Sequence, residues 1–368
     1  MAGVKRVSYE KLTAKEGRIG ILFKNEPCRL VERNGRAMID VHQHSTPHGI
    51  NTAKGCLTQF VGVSTQRIAL ASGVSTWLAR RCRSRRIVML HGVGGDKLPI
   101  SDFKQAMVWL AQNFRIVSLN AMVNQIAARE PPAVEGEMAI TFDDGLRNQA
   151  QQAYPILKSL GIPATIFVCP GLIENRQWQW NHEVRARLSR LLPTQRAEWA
   201  LTHEIPHLST EFIVAWMKQK PLHKRLLIEA SLRDATQGFQ PTYEEHDAYD
   251  PMSWEELAGL DQELVDIGSH TVTHPILSTL EEAEIWHELQ DSRLLLESRL
   301  ARPVDLFCYP NGSHDERVRS IATQIYRAAV TTDEGLVPEP VIDAHAIPRI
   351  PIAAHLPLLA WRMHRPTA

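Results

Sequence analysis

No long apolar run, no surplus of either charge and no paired cysteines occur in this 368-residue chain, and each absence removes a class of protein. The stretch from Ile68 to Ala79 is too short and too interrupted by polar residues to span a membrane, which takes about 20 apolar residues. The N-terminus lacks the apolar core of a signal peptide. Lysine plus arginine number 41, and so do aspartate plus glutamate, so no basic excess exists to hold nucleic acid. The five cysteines, Cys28, Cys56, Cys82, Cys169 and Cys308, are odd in number, scattered, and form no Cys-x-x-Cys pair. That pattern excludes a cysteine zinc site and points to a reducing compartment, so the expected location is cytoplasmic.

What is present begins at about Val63. Residues 1–62 show no clear periodicity and carry a small histidine cluster, His42, His44 and His48. They are expected to be a disordered extension or a misassigned start, outside the main domain. Residues 63–86 are expected to form an amphipathic helix with a basic end, Arg80 to Arg86. That end is either solvated or in peripheral contact with an anionic membrane, at about 1 kcal/mol per near-surface charge. From Ile87 onward, strand-like runs (Ile87–Leu90, Arg115–Leu119, Met138–Phe142, Thr165–Val168, Leu264–Ile267, Leu306–Tyr309, Ala328–Thr331) alternate with helical stretches. Such alternation predicts a parallel α/β architecture over residues 87–368. A helical insertion rich in Trp, Arg and His interrupts it at about 174–251.

Chemistry concentrates at two strand ends. The strand-like run Glu137 to Phe142 ends in Asp143, Asp144 and Gly145. Neighbouring side chains on a strand face opposite ways, so both carboxylates reach one cavity only if the backbone turns there, which Gly145 permits. Read alone, the pair is equally a solvated turn. The run Leu264 to Gly268 leads into Ser269, His270, Thr271, Val272, Thr273 and His274. His270 and His274 stand four residues apart and could clasp one ion; alone, such a pair is more often a surface feature. Pro275 disfavours helical geometry at His274, so a strand-end loop is expected rather than a helical turn. Together the segments supply three ligands for a divalent ion and one spare carboxylate, the requirement of a hydrolytic metal site. A third junction, Val304 to Gly312, could aim a backbone N–H at an oxyanion.

In order and spacing, these segments resemble the polysaccharide deacetylases, carbohydrate esterase family 4 with its NodB-homology domain, from about Arg86 to Ile352. The resemblance implies a distorted (β/α)7 barrel with its site at the strand C-terminal ends. It implies Asp143 as catalytic base and Asp144, His270 and His274 as ligands of a divalent metal, usually zinc. Stretches around Tyr154–Lys158, Gly161–Thr165 and Met252–Leu257 match as well and carry packing. In the third motif the usual arginine is Cys308, and the usual oxyanion tyrosine is Asn311, whose backbone N–H survives the change. Arg349 either replaces the arginine by pairing with Asp143 or is a plain surface residue. The late Leu-x-Leu-His segment that usually carries the acid is absent, and His355 is a poor match. His91, ending the first strand, resembles the acid of the permuted exopolysaccharide-type branch. Trp178 and Trp180 either stack on sugar rings or, for at least one of them, pack in the interior, and Tyr309 is a further candidate for substrate contact.

The activity expected from this resemblance is metal-dependent removal of acetyl groups from N-acetylated amino sugars of an oligo- or polysaccharide. The expected partner is an acetylated glycan, with no nucleic acid. Two alternatives stay open: a same-fold O-acetyl esterase or other amidase, and a non-catalytic glycan-binding barrel.

Overall fold

The computed structural model describes residues 64–366 apart from 96, 134–135, 342 and 354, together with the backbone of three short strands nearer the N-terminus. Those strands, Leu22–Phe23, Glu26–Arg33 and Arg36–Val41, form an antiparallel sheet within a separate unit, Met1–Val61. The rest of residues 1–62, including His42, His44 and His48, lies outside the described residues.

The larger unit is built on seven parallel strands: β1 (Arg86–Leu90), β2 (Glu137–Phe142), β3 (Ala164–Val168), β4 (Val265–Ser269), β5 (Leu306–Cys308), β6 (Ala328–Glu334) and β7 (Ile347–Pro351). They close into a barrel in the order β1-β7-β6-β5-β4-β3-β2, and β2 pairs back onto β1. Val88 marks the closure, facing Ile140 of β2 on one side and Ile350 of β7 on the other. This is the distorted (β/α)7 barrel that the resemblance implies.

Alternation along each strand sorts the core. Val88, Leu90, Ile140, Phe142, Ile166 and Val168 pack outward with Phe103, Met107 and Leu110 of the helix Ile100–Asn113. Ile87, Ala139, Phe167, Leu306, Cys308, Val330 and Ile347 form a second cluster at the other parity, the barrel interior. Each such fully buried aliphatic or aromatic side chain stabilises by about 1.5–3 kcal/mol. Thr141, Asp143 and Arg349 share the interior parity, so the pleat itself directs them towards the axis.

Three sequence expectations change. Arg115–Ile116 is a two-residue edge strand on β2, and Ser118 then caps the helix Leu119–Ala127 through a bond from the Ala121 N–H. The seventh barrel strand is β7, whose Pro348 and Pro351 make it read as loop. The 63–86 helix is broken: residues 64–71 are helical, Gly73 adopts φ 77°, and a second helix covers Val74–Arg81 only.

Of the basic run, Arg80, Arg81 and Arg83 are exposed, but Arg85 and Arg86 are buried. Arg85 pairs with Glu137 and Glu339, and Arg86 donates to the carbonyls of Ala79, Cys82, Ser84 and Met363. Those two arginines fasten the barrel's first strand and are not available to a membrane.

The insertion is a bundle of helices, Trp180–Arg190, Pro193–Thr202, Thr210–Lys218, Leu222–Ala235 and Tyr243–Tyr249. It has its own core of Trp180, Leu188, Trp199, Ile213, Met217 and Leu232. Asp250 ties its end to the barrel by accepting from Trp178 Nε1 and Arg147 Nη1, both at 2.7 Å.

Candidate active site

At the C-terminal end of β2 the Asp143 N–H still bonds to the Leu90 carbonyl of β1, at 2.8 Å. The chain then leaves the strand: Asp144 takes φ 82° and Gly145 φ 65°. This kink brings both carboxylates to one cavity, as the Asp-Asp-Gly sequence predicts. A positive φ on a non-glycine residue is costly, of order 1–3 kcal/mol, and here it falls at the turn that directs the Asp144 carboxylate into the cavity. Thr271 and His274 also have positive φ, 70° and 59°, so the histidine loop is irregular, as Pro275 predicts.

Glu288 holds that loop. Its buried carboxylate accepts from the N–H groups of Val272 and Thr273, at 2.8 and 2.9 Å, and from the Thr273 hydroxyl at 2.6 Å. Gly171 approaches Val272 so closely that a Cβ there would lie 2.7 Å from its carbonyl oxygen. No local sequence signal marks Glu288, which lies on a distant helical segment.

Asp144 Oδ1 stands 3.5 Å from His270 Nε2 and 3.6 Å from His274 Nε2. These atoms are too far apart for good hydrogen bonds. They match the spacing of neighbouring ligands around a tetrahedral ion, about 3.4 Å for bonds of 2.0–2.1 Å. His270 points its Nδ1 at the Cys308 carbonyl, at 2.6 Å, which turns Nε2 towards Asp144. His274 Nδ1 is buried and has no partner among the described residues. The three residues therefore fit a divalent ion. A second cluster, Asp143, His270 and Cys308, is also compact. It is a poor ligand set, because Asp143 is committed elsewhere and burial pushes the Cys308 thiol up, keeping it neutral.

Asp143 is committed to Arg349. The guanidinium donates from Nη1 to Oδ1 and from Nη2 to Oδ2, each at 2.7 Å, with both side chains buried. Its remaining donors reach the Thr331 carbonyl (2.8 Å), Thr141 Oγ1 (3.0 Å) and Cys308 Sγ (3.1 Å). The small thiol at 308 thus leaves the space into which an arginine from β7 reaches. Burial alone would raise the Asp143 carboxyl; Arg349, aided by His270 and His91, overrides it and holds the group below the usual carboxylate range.

The cavity, about 280 Å³, is lined by Asp143, Asp144, His270, His274, His91 and Asn311 among others. His91 is exposed and Asn311 sits at the rim with φ 54°, its side-chain oxygen accepting from Lys218. The structure thus gathers Asp143, Asp144, His270, His274, His91, Asn311 and Arg349. It does not bring in the other three. Tyr309 is fully buried between Phe307 and His314, on the opposite pleat face from Cys308. Trp180 packs in the insertion core under Arg225, and Trp178 meets Phe239, His246 and Tyr249 edge-on. Both tryptophans line a different cavity, of about 610 Å³.

The insertion instead contributes Gln179, Asn181 and His182, which sequence reasoning missed. His182 stacks on Tyr249 at 4.4 Å between ring centres, and burial lowers its imidazole to about 4.

A closed parallel barrel thus carries, at its strand ends, a carboxylate–histidine triad that could hold a metal ion and an aspartate held by an arginine. The family model for polysaccharide deacetylases matches residues 131–329, and the chain belongs to that family. It is 22% identical over 253 residues to YxkH of Bacillus subtilis (strain 168), a match covering 68% of this chain and 64% of that relative. The chain therefore spans under two thirds of that relative's length. Two solved structures share the fold. The deacetylase PplD of Streptococcus pyogenes, in complex with acetate, has a TM-score of 0.52 at 18% identity, covering 77% of this chain and 99% of that one. IcaB of Ammonifex degensii has a TM-score of 0.50 at 15% identity, covering 76% and 98%.

Proposed function

We propose that the protein is a divalent-metal-dependent deacetylase, hydrolysing the acetamido C–N bond of an N-acetylated amino sugar in an oligo- or polysaccharide. The observation that carries this reading is the convergence of Asp144, His270 and His274 beside the Asp143–Arg349 pair in one cavity. Membership of the polysaccharide deacetylase family supports the substrate class.

Asp144, His270 and His274 would hold the ion, zinc being the best match to two imidazoles and one carboxylate. An ion held there would supply Lewis acidity to the acetyl carbonyl and make water more acidic, so that hydroxide is available near neutral pH. Asp143 then needs little basicity of its own, which reconciles its role as proton acceptor with the depressed carboxyl that Arg349 enforces. Arg349 fixes both Asp143 oxygens, so the aspartate cannot swing in to become a fourth ligand. The Asn311 backbone N–H donates to the developing oxyanion. His91 delivers a proton to the leaving amine; His182, held neutral near pH 7 by burial, is the poorer acid.

The cytoplasmic location stays part of this proposal on the odd number and scatter of the five cysteines in the sequence. No helix among the described residues is long and apolar enough to cross a membrane.

Acetate release from N-acetylglucosamine oligomers tests the reading. Release should occur, stop after treatment with a chelator, and return on adding zinc. Release that persists unchanged in the metal-free protein would rule out the metal-dependent mechanism, and no release from any acetylated sugar would rule out the activity.

A further inference from the structure

The insertion closes the cavity with charge. Arg185 and Glu211 form a two-point pair, Nε to Oε1 at 2.8 Å and Nη2 to Oε2 at 2.9 Å, so each satisfies the other. Asp143 is likewise matched by Arg349, and Asp144 faces two histidines. When these pairs are set aside, two cations remain at the mouth. Lys97, from the loop after β1, lines the cavity with no side-chain hydrogen bond or ion pair among the described residues, and acts on Glu211 through its charge alone. Lys218, at the end of the helix Thr210–Lys218, donates to the neutral Asn311 side chain.

Lys218 is half-buried, and burial, with Arg185 nearby, lowers its ammonium even though Glu211 acts the other way. A lysine kept half out of water beside a cation, with its nearest carboxylate already bonded to Arg185, gains from a ligand that supplies a further anion. Both lysines act on Glu211, whose carboxyl is lowered first by its Arg185 bond and then by the charges of Arg185, Lys97 and Lys218. The two ammonium groups therefore belong to one electropositive rim.

We propose that the acetylated amino sugar entering this cavity carries an oxyanion, a phosphate or a carboxylate, which Lys97 and Lys218 hold at the mouth. This rests on the deacetylase reading and narrows its substrate. The cavity volume of about 280 Å³ suits one such sugar unit rather than a long run of polymer. With its oxygen taken by Lys218, the Asn311 amide also presents its NH2 as a neutral donor.

The test uses the zinc-loaded full chain and three probes: N-acetylglucosamine 1-phosphate, N-acetylmuramic acid and N-acetylglucosamine. The expected result is a kcat/KM for at least one anionic probe about tenfold or more above the neutral one, expressed mainly in KM. Which of the two anionic probes is preferred identifies the anion. Lys97→Gln and Lys218→Gln should each lower the anionic-to-neutral ratio, and the double variant should bring it near one. Lys97→Arg should keep it, and added salt should weaken it. Zinc content and Tm, measured alongside, separate loss of recognition from loss of folding. Equal or better cleavage of the neutral sugar would overturn the proposal and leave the deacetylase reading standing, as would an anionic preference that survives the double variant. Failure to release acetate from any probe, or from the neutral oligomers, would remove both.

Discussion

Asp143 and Asp144 are adjacent, both buried and chemically identical, yet the structure gives them different partners. Arg349 claims both oxygens of Asp143, whereas Asp144 faces two imidazoles. Asp144→Asn should therefore cut zinc content, because an amide is a weak ligand. Asp143→Asn should keep zinc and lower turnover by roughly 10²–10⁴, the range for loss of general-base help. Metal analysis beside kinetics checks this, and equal zinc loss in both variants would mean that the roles are wrongly divided. The Asp143–Arg349 pair also sets an acid limit on stability. Its carboxyl is lowered in the fold, so its contribution is complete above the unfolded value of about 3.9 and is lost as pH falls through the folded value. The Tm gap between the wild type and Asp143→Asn should be full above about pH 5 and shrink steadily below pH 4. A gap independent of pH would show that the ion pair does not link protonation to folding.

The residues legible in the sequence were those whose chemistry demands tight local spacing, the aspartate pair and the two histidines. Arg349 was visible only as one of two readings, because nothing local distinguishes a buried arginine from a surface one. Tyr309 was misplaced because its closeness in sequence to Cys308 hides the pleat, which sends neighbours to opposite faces.

At the level of elements, the site depends on loops that their own sequences do not stabilise. The segment from His270 to His274 is held by Glu288, a residue from another part of the chain. Glu288→Ala should leave the Thr273 N–H and hydroxyl without acceptors, and the Val272 N–H with only the backbone carbonyl of residue 288 at 3.2 Å, and so let the histidine loop drift. Loss of comparable supporting bonds typically weakens metal affinity by 10- to 100-fold. Competition against a chromophoric chelator measures it, and an unchanged zinc affinity would show that the loop holds its shape unaided. Elements were legible where strands followed the usual composition. β7 was not, since Pro348 and Pro351 mimic a loop; a strand pairing at few positions tolerates them. The insertion was legible as helical but not as a wall of the cavity. Which of its faces meets the barrel follows from tertiary packing: Gln179, Asn181 and His182 face the site while Trp178 and Trp180, alternating with them, turn away.

For the whole molecule, residues 64–366 hold the barrel, its insertion and every site residue discussed here. A chain beginning at Val63 should accordingly fold, bind zinc and melt at the temperature of the full protein. A large drop in Tm would show that the first 62 residues contribute to the barrel's stability. The parallel α/β class was readable from the alternation of strands and helices, and ring closure only through the family resemblance, because the pairing that joins β1 to β7 spans the length of the domain and leaves no local signal.

That closure bears on how the protein behaves in a crowded solution. An open sheet ends in a row of unpaired N–H and C=O groups that can recruit a strand from another molecule. Here Val88 is bonded into ladders on both sides, and each of the seven strands has two neighbours. The seven barrel strands thus offer no free edge, leaving only the two-residue strand Arg115–Ile116 as one in this sheet, and growth of a sheet through the barrel would first require a thinly paired seam to come apart, such as β4–β5 with one registered pair or β1–β7 with two.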